Sequence, residues 1–123
     1  TDFLIAPPTG SEVLTGSTRM KAASAAKMVL NMITTTSMIA FGKVYRNLMV
    51  DLSPNSQKLI SRAARIVMQI THCTSEEALN LVKESGNAKI AVVMYTKKVS
   101  KNAALEMLKR KKGRLRSILE DID

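Results

Sequence analysis

The chain has 123 residues, 46% of them hydrophobic and 24% charged, which suits one compact domain or pieces of two and excludes a wholly disordered chain. With 19 Lys and Arg against 10 Asp and Glu the net charge is +9, and with 3% aromatics and 8 Met any core must be packed from aliphatic side chains. The single cysteine, Cys73, excludes a disulfide scaffold and a Cys-rich zinc site, and with one His no metal site is expected.

Phe3-Leu4-Ile5-Ala6, stopped by Pro7-Pro8, is a short apolar run that predicts a buried strand, although no partner strand is visible. This start lacks the basic residues and the longer apolar stretch of a signal peptide. Pro7 to Gly16 predicts a loop. Ser17 to Phe41 contains neither Gly nor Pro, and its apolar residues occupy several faces, among them Ala25, Met28, Val29, Leu30, Met32, Ile33, Met38 and Ile39. A helix apolar nearly all round is expected to be buried on several sides. The neighbours needed for that are not in the sequence, so the chain is expected to be a portion of a larger fold or an obligate oligomer. The longest uncharged run, Met28 to Gly42, is 15 residues and includes Asn31, Thr34, Thr35, Thr36 and Ser37. A membrane span needs about 20 mostly apolar residues, so no membrane partner is expected.

Composition changes at Ser53-Pro54-Asn55, a turn-prone tripeptide that predicts a domain boundary. Beyond it Leu59, Ala63, Ile66 and Ile70 share one helix face beside Lys58, Arg62, Arg65 and Gln69, giving a connecting helix within 54–71. Thr74-Ser-Glu-Glu77 reads as a capping box, Ala78, Leu81 and Val82 as the inner face of the helix it starts, and Gly86 as its end. Further short helices are expected over Ala88 to Tyr95 and Ser100 to Lys111. Gly113 breaks the pattern, and Leu115, Ile118, Leu119 and Ile122 make a last amphipathic turn or two. Residues 72–123 therefore predict a small helical bundle.

The stretch with chemical content is Gly10-Ser-Glu-Val-Leu-Thr-Gly-Ser-Thr-Arg-Met-Lys21. Hydroxyl residues and a glycine lead into a long helix, so Ser17 or Thr18 is expected to cap it while free backbone N–H groups face outward. Arg19 and Lys21 would put two cations at the positive end of the helix dipole, which costs stability unless an anion compensates. Two readings stay open on spacing alone. A phosphate or carboxylate ligand supplies the anion, or Glu12 pairs with Arg19 while Lys21 reaches solvent.

Glu12-Val-Leu-Thr-Gly-Ser-Thr-Arg-Met-Lys21, then Lys27-Met-Val-Leu-Asn-Met32 and Gly42-Lys-Val-Tyr-Arg-Asn-Leu-Met-Val-Asp51, resembles the signature of the N-acetylmuramic acid 6-phosphate etherases, of which the glucokinase regulatory proteins share a related form. The resemblance continues to the helical tail. It implies the C-terminal portion of an α/β sugar isomerase (SIS) domain (one short strand plus the long buried helix, residues 1–53) followed by a small helical bundle resembling a ubiquitin-associated (UBA) fold, so that the chain itself is mostly α. It also implies a cytoplasmic homodimer that removes the lactyl ether of N-acetylmuramic acid 6-phosphate by elimination and hydration, giving N-acetylglucosamine 6-phosphate and D-lactate in cell-wall recycling, without a cofactor. The glutamates implied as acid and base lie in an upstream region, and the front section here offers only Asp2, Glu12 and Asp51, so no catalytic residue is expected in this chain. Carried over by position, Lys21 is the expected substrate-binding cation, Ser17 and Thr18 the hydroxyl or backbone donors, and Glu12 and Arg19 the supports of the loop. Two departures stand out: Ala23 and Arg46 each occupy a position where the family commonly has Gly.

Three function classes compete: part of a phosphosugar etherase, a non-catalytic phosphosugar-binding regulatory module, and a basic nucleic-acid-binding bundle. Lys97 to Arg116 holds nine basic residues and one acid, Glu106. No aromatic residue interleaves to stack bases, so a solvated face is the better reading and nucleic acid is not the expected partner. His72 and Cys73 read as surface and packing, the Met residues as core filler, and Tyr45 and Tyr95 as half-buried packing residues.

Overall fold

The computed structural model describes residues 2–120, and among these the chain is mostly α, with six helices and one two-stranded sheet. Contacts divide it between Ser37 and Met38 into two compact units.

The first unit holds the N-terminal segment and most of α1 (Lys21–Ala40). Ala22, Ala23, Ala25, Ala26, Met28 and Leu30 are strong helix formers. The hydroxyls that follow are satisfied within the helix, Thr34 Oγ1 donating to the Leu30 carbonyl at 2.9 Å and Ser37 Oγ to that of Ile33 at 2.8 Å. Two expectations are corrected here. Phe3 to Ala6 forms no strand, and Phe3 and Leu4 are 89% and 85% exposed. Without a second strand its backbone N–H and C=O groups have no ladder to join. The long helix exists, but it starts at Lys21 and buries no residue. Met28, Leu30, Met32 and Ile39 are each more than half exposed, because apolar residues spread around a helix need neighbours on every side.

The second unit opens with the end of α1. Gly42, at φ +69°, donates its N–H to the Ile39 carbonyl at 2.9 Å, and Lys43 donates to that of Met38 at 3.1 Å. These two bonds make a Schellman cap. A hairpin follows, β1 (Val44–Tyr45) antiparallel to β2 (Leu48–Met49), with Val44 opposite Met49 and Tyr45 opposite Leu48. Arg46, first residue of its two-residue loop, sits at φ +53°, where a hairpin of this length favours Gly. Arg46→Gly is expected to raise stability by about 0.5–1 kcal/mol, the relief of a left-handed conformation less the lost Arg46 contact with the Tyr45 ring. Urea denaturation checks this, and a lower midpoint would contradict it.

The helices of this unit are α2 (Gln57–Thr71), α3 (Ser75–Ser85), α4 (Ala88–Lys97), α5 (Lys101–Arg110) and α6 (Leu115–Leu119). Thr74 with Glu77 forms the expected capping box of α3, and Ser56, Asn87 and Ser100 cap α2, α4 and α5. In that box the Thr74 backbone N–H and hydroxyl both donate to Glu77, which holds its carboxyl below the usual carboxylate range. Gly86 ends α3 in the left-handed region. Ala63 and Ile66 are buried as the periodicity required, Ala78 and Val82 likewise, and Lys58, Arg62, Arg65 and Gln69 are exposed.

The centre of this core is α4, whose Ala88, Ala91, Val92 and Val93 are fully buried among α2, α3, α5 and α6. Tyr45 and Val50 join the same cluster, so the segment ahead of Pro54 packs with the helices behind it. Tyr45, expected half-buried, is 6% exposed, and its hydroxyl donates to Glu120 Oε1 at 3.5 Å. Ile122, placed by periodicity in the last turn, lies outside the described residues. Among the described residues no helix is long and apolar enough to cross a membrane.

Candidate binding loop before the long helix

The four free amide donors at the start of α1 are all taken. Lys21 N–H reaches both oxygens of the Glu12 carboxylate, at 3.0 and 3.2 Å, and Ala22 N–H donates to Glu12 Oε1 at 3.1 Å. Ala23 N–H goes to the Thr18 carbonyl and Ser24 N–H to that of Met20. The anion demanded by the helix dipole is therefore Glu12, nine residues upstream of Lys21. This corrects the expectation that Ser17 or Thr18 caps the helix. Ser17 Oγ instead accepts from Arg19 N–H at 3.4 Å, inside a turn that Ser17 N–H closes on the Leu14 carbonyl. A carboxylate reaches two adjacent amides and carries charge, so it outcompetes a neutral hydroxyl.

Lys21 makes the return connection, its Nζ donating to the Ser11 carbonyl at 2.5 Å. Adjacent residues Ser11 and Glu12 are thus tied to one residue, Lys21, from opposite directions, and the loop between them closes at its neck. The alternative in which Glu12 pairs with Arg19 does not form: Arg19 makes no ion pair among the described residues.

Beside this neck lies a hollow of about 420 Å³, lined by Glu12, Ser17 and Thr18 among the expected residues, together with Ser11, Thr15 and Gly16. Lys21 and Arg19 do not line it. Its hydroxyl groups can donate to neutral or anionic oxygens, while the Glu12 carboxylate only accepts and is already bonded to the helix amides. Ser11 and Thr15 were not singled out from the sequence, although the recurrence of hydroxyl residues through the loop was the available signal.

Asp51, the third acid of the front section, is committed elsewhere. Its Oδ2 lies 3.7 Å from Lys43 Nζ and 3.6 Å from Lys89 Nζ, and Asn87 Nδ2 donates to its Oδ1 at 3.2 Å. Lys89 is only 6% exposed, and a buried ammonium needs such a partner. A carboxylate holding two ammonium groups and an amide is a structural strap rather than a proton-transfer group. No sequence pattern marked Lys89 as buried. Among the described residues no three His, Cys, Asp or Glu side chains gather as metal ligands do.

The fold and site together define a helical protein in which a carboxylate-closed, hydroxyl-rich loop feeds an apolar helix and a small helical core follows. Relatives that the chain matches are named N-acetylmuramic acid 6-phosphate etherase. The chain is 51% identical to N-acetylmuramic acid 6-phosphate etherase 2 of Vibrio cholerae over 118 residues, covering 95% of this chain and 38% of that protein. It is 50% identical to the etherase of Shouchella clausii over 113 residues (91% and 38%) and 46% identical to that of Mesorhizobium japonicum over 121 residues (98% and 39%). The resemblance carried by the Glu12–Lys21 motif thus holds along the chain, which matches a C-terminal fragment of these etherases. The chain spans somewhat more than a third of the length of the curated relatives it matches. No protein-family model matches it.

Proposed function

We propose that this chain is the C-terminal part of a phosphosugar etherase that converts N-acetylmuramic acid 6-phosphate to N-acetylglucosamine 6-phosphate and D-lactate. The observation that carries the reading is the match of nearly the whole chain, at about half identity, to proteins bearing that name. In this reading residues 1–53 complete a SIS phosphosugar-binding domain, 54–71 connect, and 72–123 form a UBA-like domain. The enzyme works in the cytoplasm as a homodimer. The exposed apolar sides of α1 support this arrangement, since apolar area of that extent is normally covered by another domain or subunit.

The chain's own contribution is to binding. Ser17 and Thr18 line the hollow and supply hydroxyl donors to the phosphosugar. Glu12 holds the loop shut against the helix, and Arg19, two residues before Lys21, makes no ion pair among the described residues. Lys21 is the candidate cation for the substrate, and engaging a ligand would require its ammonium to exchange the Ser11 carbonyl for an anionic oxygen. The acid and base of the elimination belong to the region the chain does not span: of its own three front acids, Glu12 and Asp51 are engaged by amides and ammonium groups, and Asp2 is exposed.

The test is a reconstitution. The 123-residue chain alone is expected to release no D-lactate from N-acetylmuramic acid 6-phosphate. Fused behind the upstream region of the Vibrio cholerae relative, it is expected to restore release. D-lactate from the purified chain alone would place catalysis within it, against this reading. A folded fusion that binds the phosphosugar without turning it over would favour the regulatory module instead.

A further inference from the structure

The second unit contains a cavity of about 460 Å³ between the hairpin and α6, within the size range of small-molecule sites. Its floor includes Tyr45 and Leu115, which are 6% and 0% exposed. Arg46, Arg114 and Arg116 line the cavity as well, with one acid, Glu120. Arg116 Nε meets Glu120 Oε2 at 2.7 Å, and this bond, with a smaller contribution from the Arg46 charge, keeps the Glu120 carboxyl below its usual range. That ion pair cancels one positive charge. Arg46 and Arg114 make no ion pair among the described residues, so two further guanidiniums accompany the apolar floor without a salt-bridge partner among those residues. Arg46 is moreover held at φ +53°, 5.4 Å from the Tyr45 ring centre. A long cation kept in a conformation that disfavours it is a local cost of the kind that collects at binding sites.

We propose that this cavity binds a small organic phosphate monoester. The dianion would be taken by Arg46 and Arg114, whose planar forks match phosphate oxygens, and the organic body would rest on the Tyr45–Leu115 floor. Two guanidiniums match a dianion better than a monoanionic carboxylate. This site shares no residue with the loop before α1, so it stands or falls independently of the etherase reading.

Titration of the full chain with phenyl phosphate, inorganic phosphate and benzoate, followed by amide NMR shifts, tests the assignment. Phenyl phosphate is expected to saturate below about 10 mM and to bind roughly tenfold tighter than inorganic phosphate or benzoate, with shifts clustered at Arg46, Arg114 and Ser117. Arg114→Gln is expected to weaken phenyl phosphate about tenfold, as loss of one charge-assisted bond implies. Arg46→Asn, which tolerates the left-handed backbone, is expected to do the same while leaving the melting temperature unchanged or higher. The proposal is overturned by absence of saturation in the unsubstituted chain or by benzoate binding equally well. Shifts centred on residues 10–21 or on the α5 lysines would overturn it too, as would affinity within twofold of the parent in both folded variants.

Discussion

Replacing Gly42 by alanine is expected to lower the stability of the second unit by about 3 kcal/mol, a drop of roughly 10–20 °C in melting temperature for a unit of this size. Two costs combine. Gly42 sits at φ +69°, where an added Cβ is unfavourable by about 1–2 kcal/mol. That Cβ would also lie 2.7 Å from the Gly113 carbonyl oxygen, 2.9 Å from its carbon and 3.1 Å from Arg114 Cα. All three are backbone atoms in the turn that links α5 to α6, so no side chain can swing aside. Gly86 supplies the control: it has φ +74° and nothing within 4 Å of the position a Cβ would take. Gly86→Ala should therefore cost only the conformational part, about 1 kcal/mol. Thermal unfolding followed by circular dichroism compares the two. If they were equally destabilising, the close approach of the α1 cap to the α5–α6 turn would be wrong.

Lys21→Ala, made in the fusion with the upstream region of the Vibrio cholerae relative, is expected to lower turnover or phosphosugar affinity by about tenfold to a hundredfold, the worth of one charge-assisted hydrogen bond. Its effect on the ligand-free protein should stay within about 1 kcal/mol. The side chain is exposed and gives up one bond, to the Ser11 carbonyl, while Glu12 still holds the Lys21 and Ala22 amides. Lys21→Arg is not expected to restore activity, because a planar fork does not place its donors where a compact ammonium does. Steady-state kinetics beside a ligand-free melt separates the roles. Full activity with a large loss of stability would make Lys21 a clamp on the loop and nothing more.

Local signals were legible wherever chemistry acts over a few residues. The Thr74–Glu77 capping box and the Gly86 stop needed only neighbours three or four positions away, and the face of α2 carrying Ala63 and Ile66 followed from helical periodicity. The loop before α1 was legible as a site but not in its wiring. The spacing showed that cations at a helix start need an anion, yet Glu12 became that anion only because the loop folds back over nine residues. Nothing in the pattern Ala88-Lys89-Ile90-Ala91 said that Lys89 would be buried beside Asp51, a partner thirty-eight positions earlier in the chain.

The sequence by itself determined the helical character of the chain, the capping box and glycine stop of α3, and the kinship carried by the Glu12–Lys21 and Gly42–Asp51 blocks, because caps, turns and periodicity are short-range. It did not determine burial. The apolar run Phe3 to Ala6 and the sides of α1 read as interior, and they are exposed here because burial requires partners this chain does not supply. Only the tertiary structure decided that α4 is the hub of the core, that Gly42 and Gly113 meet backbone to backbone, and that Arg46, Arg114 and Arg116 share one cavity. Each of these joins residues far apart in sequence. Such meetings are fixed by how the elements pack, since packing must fill space and neutralise buried charge over the whole unit at once.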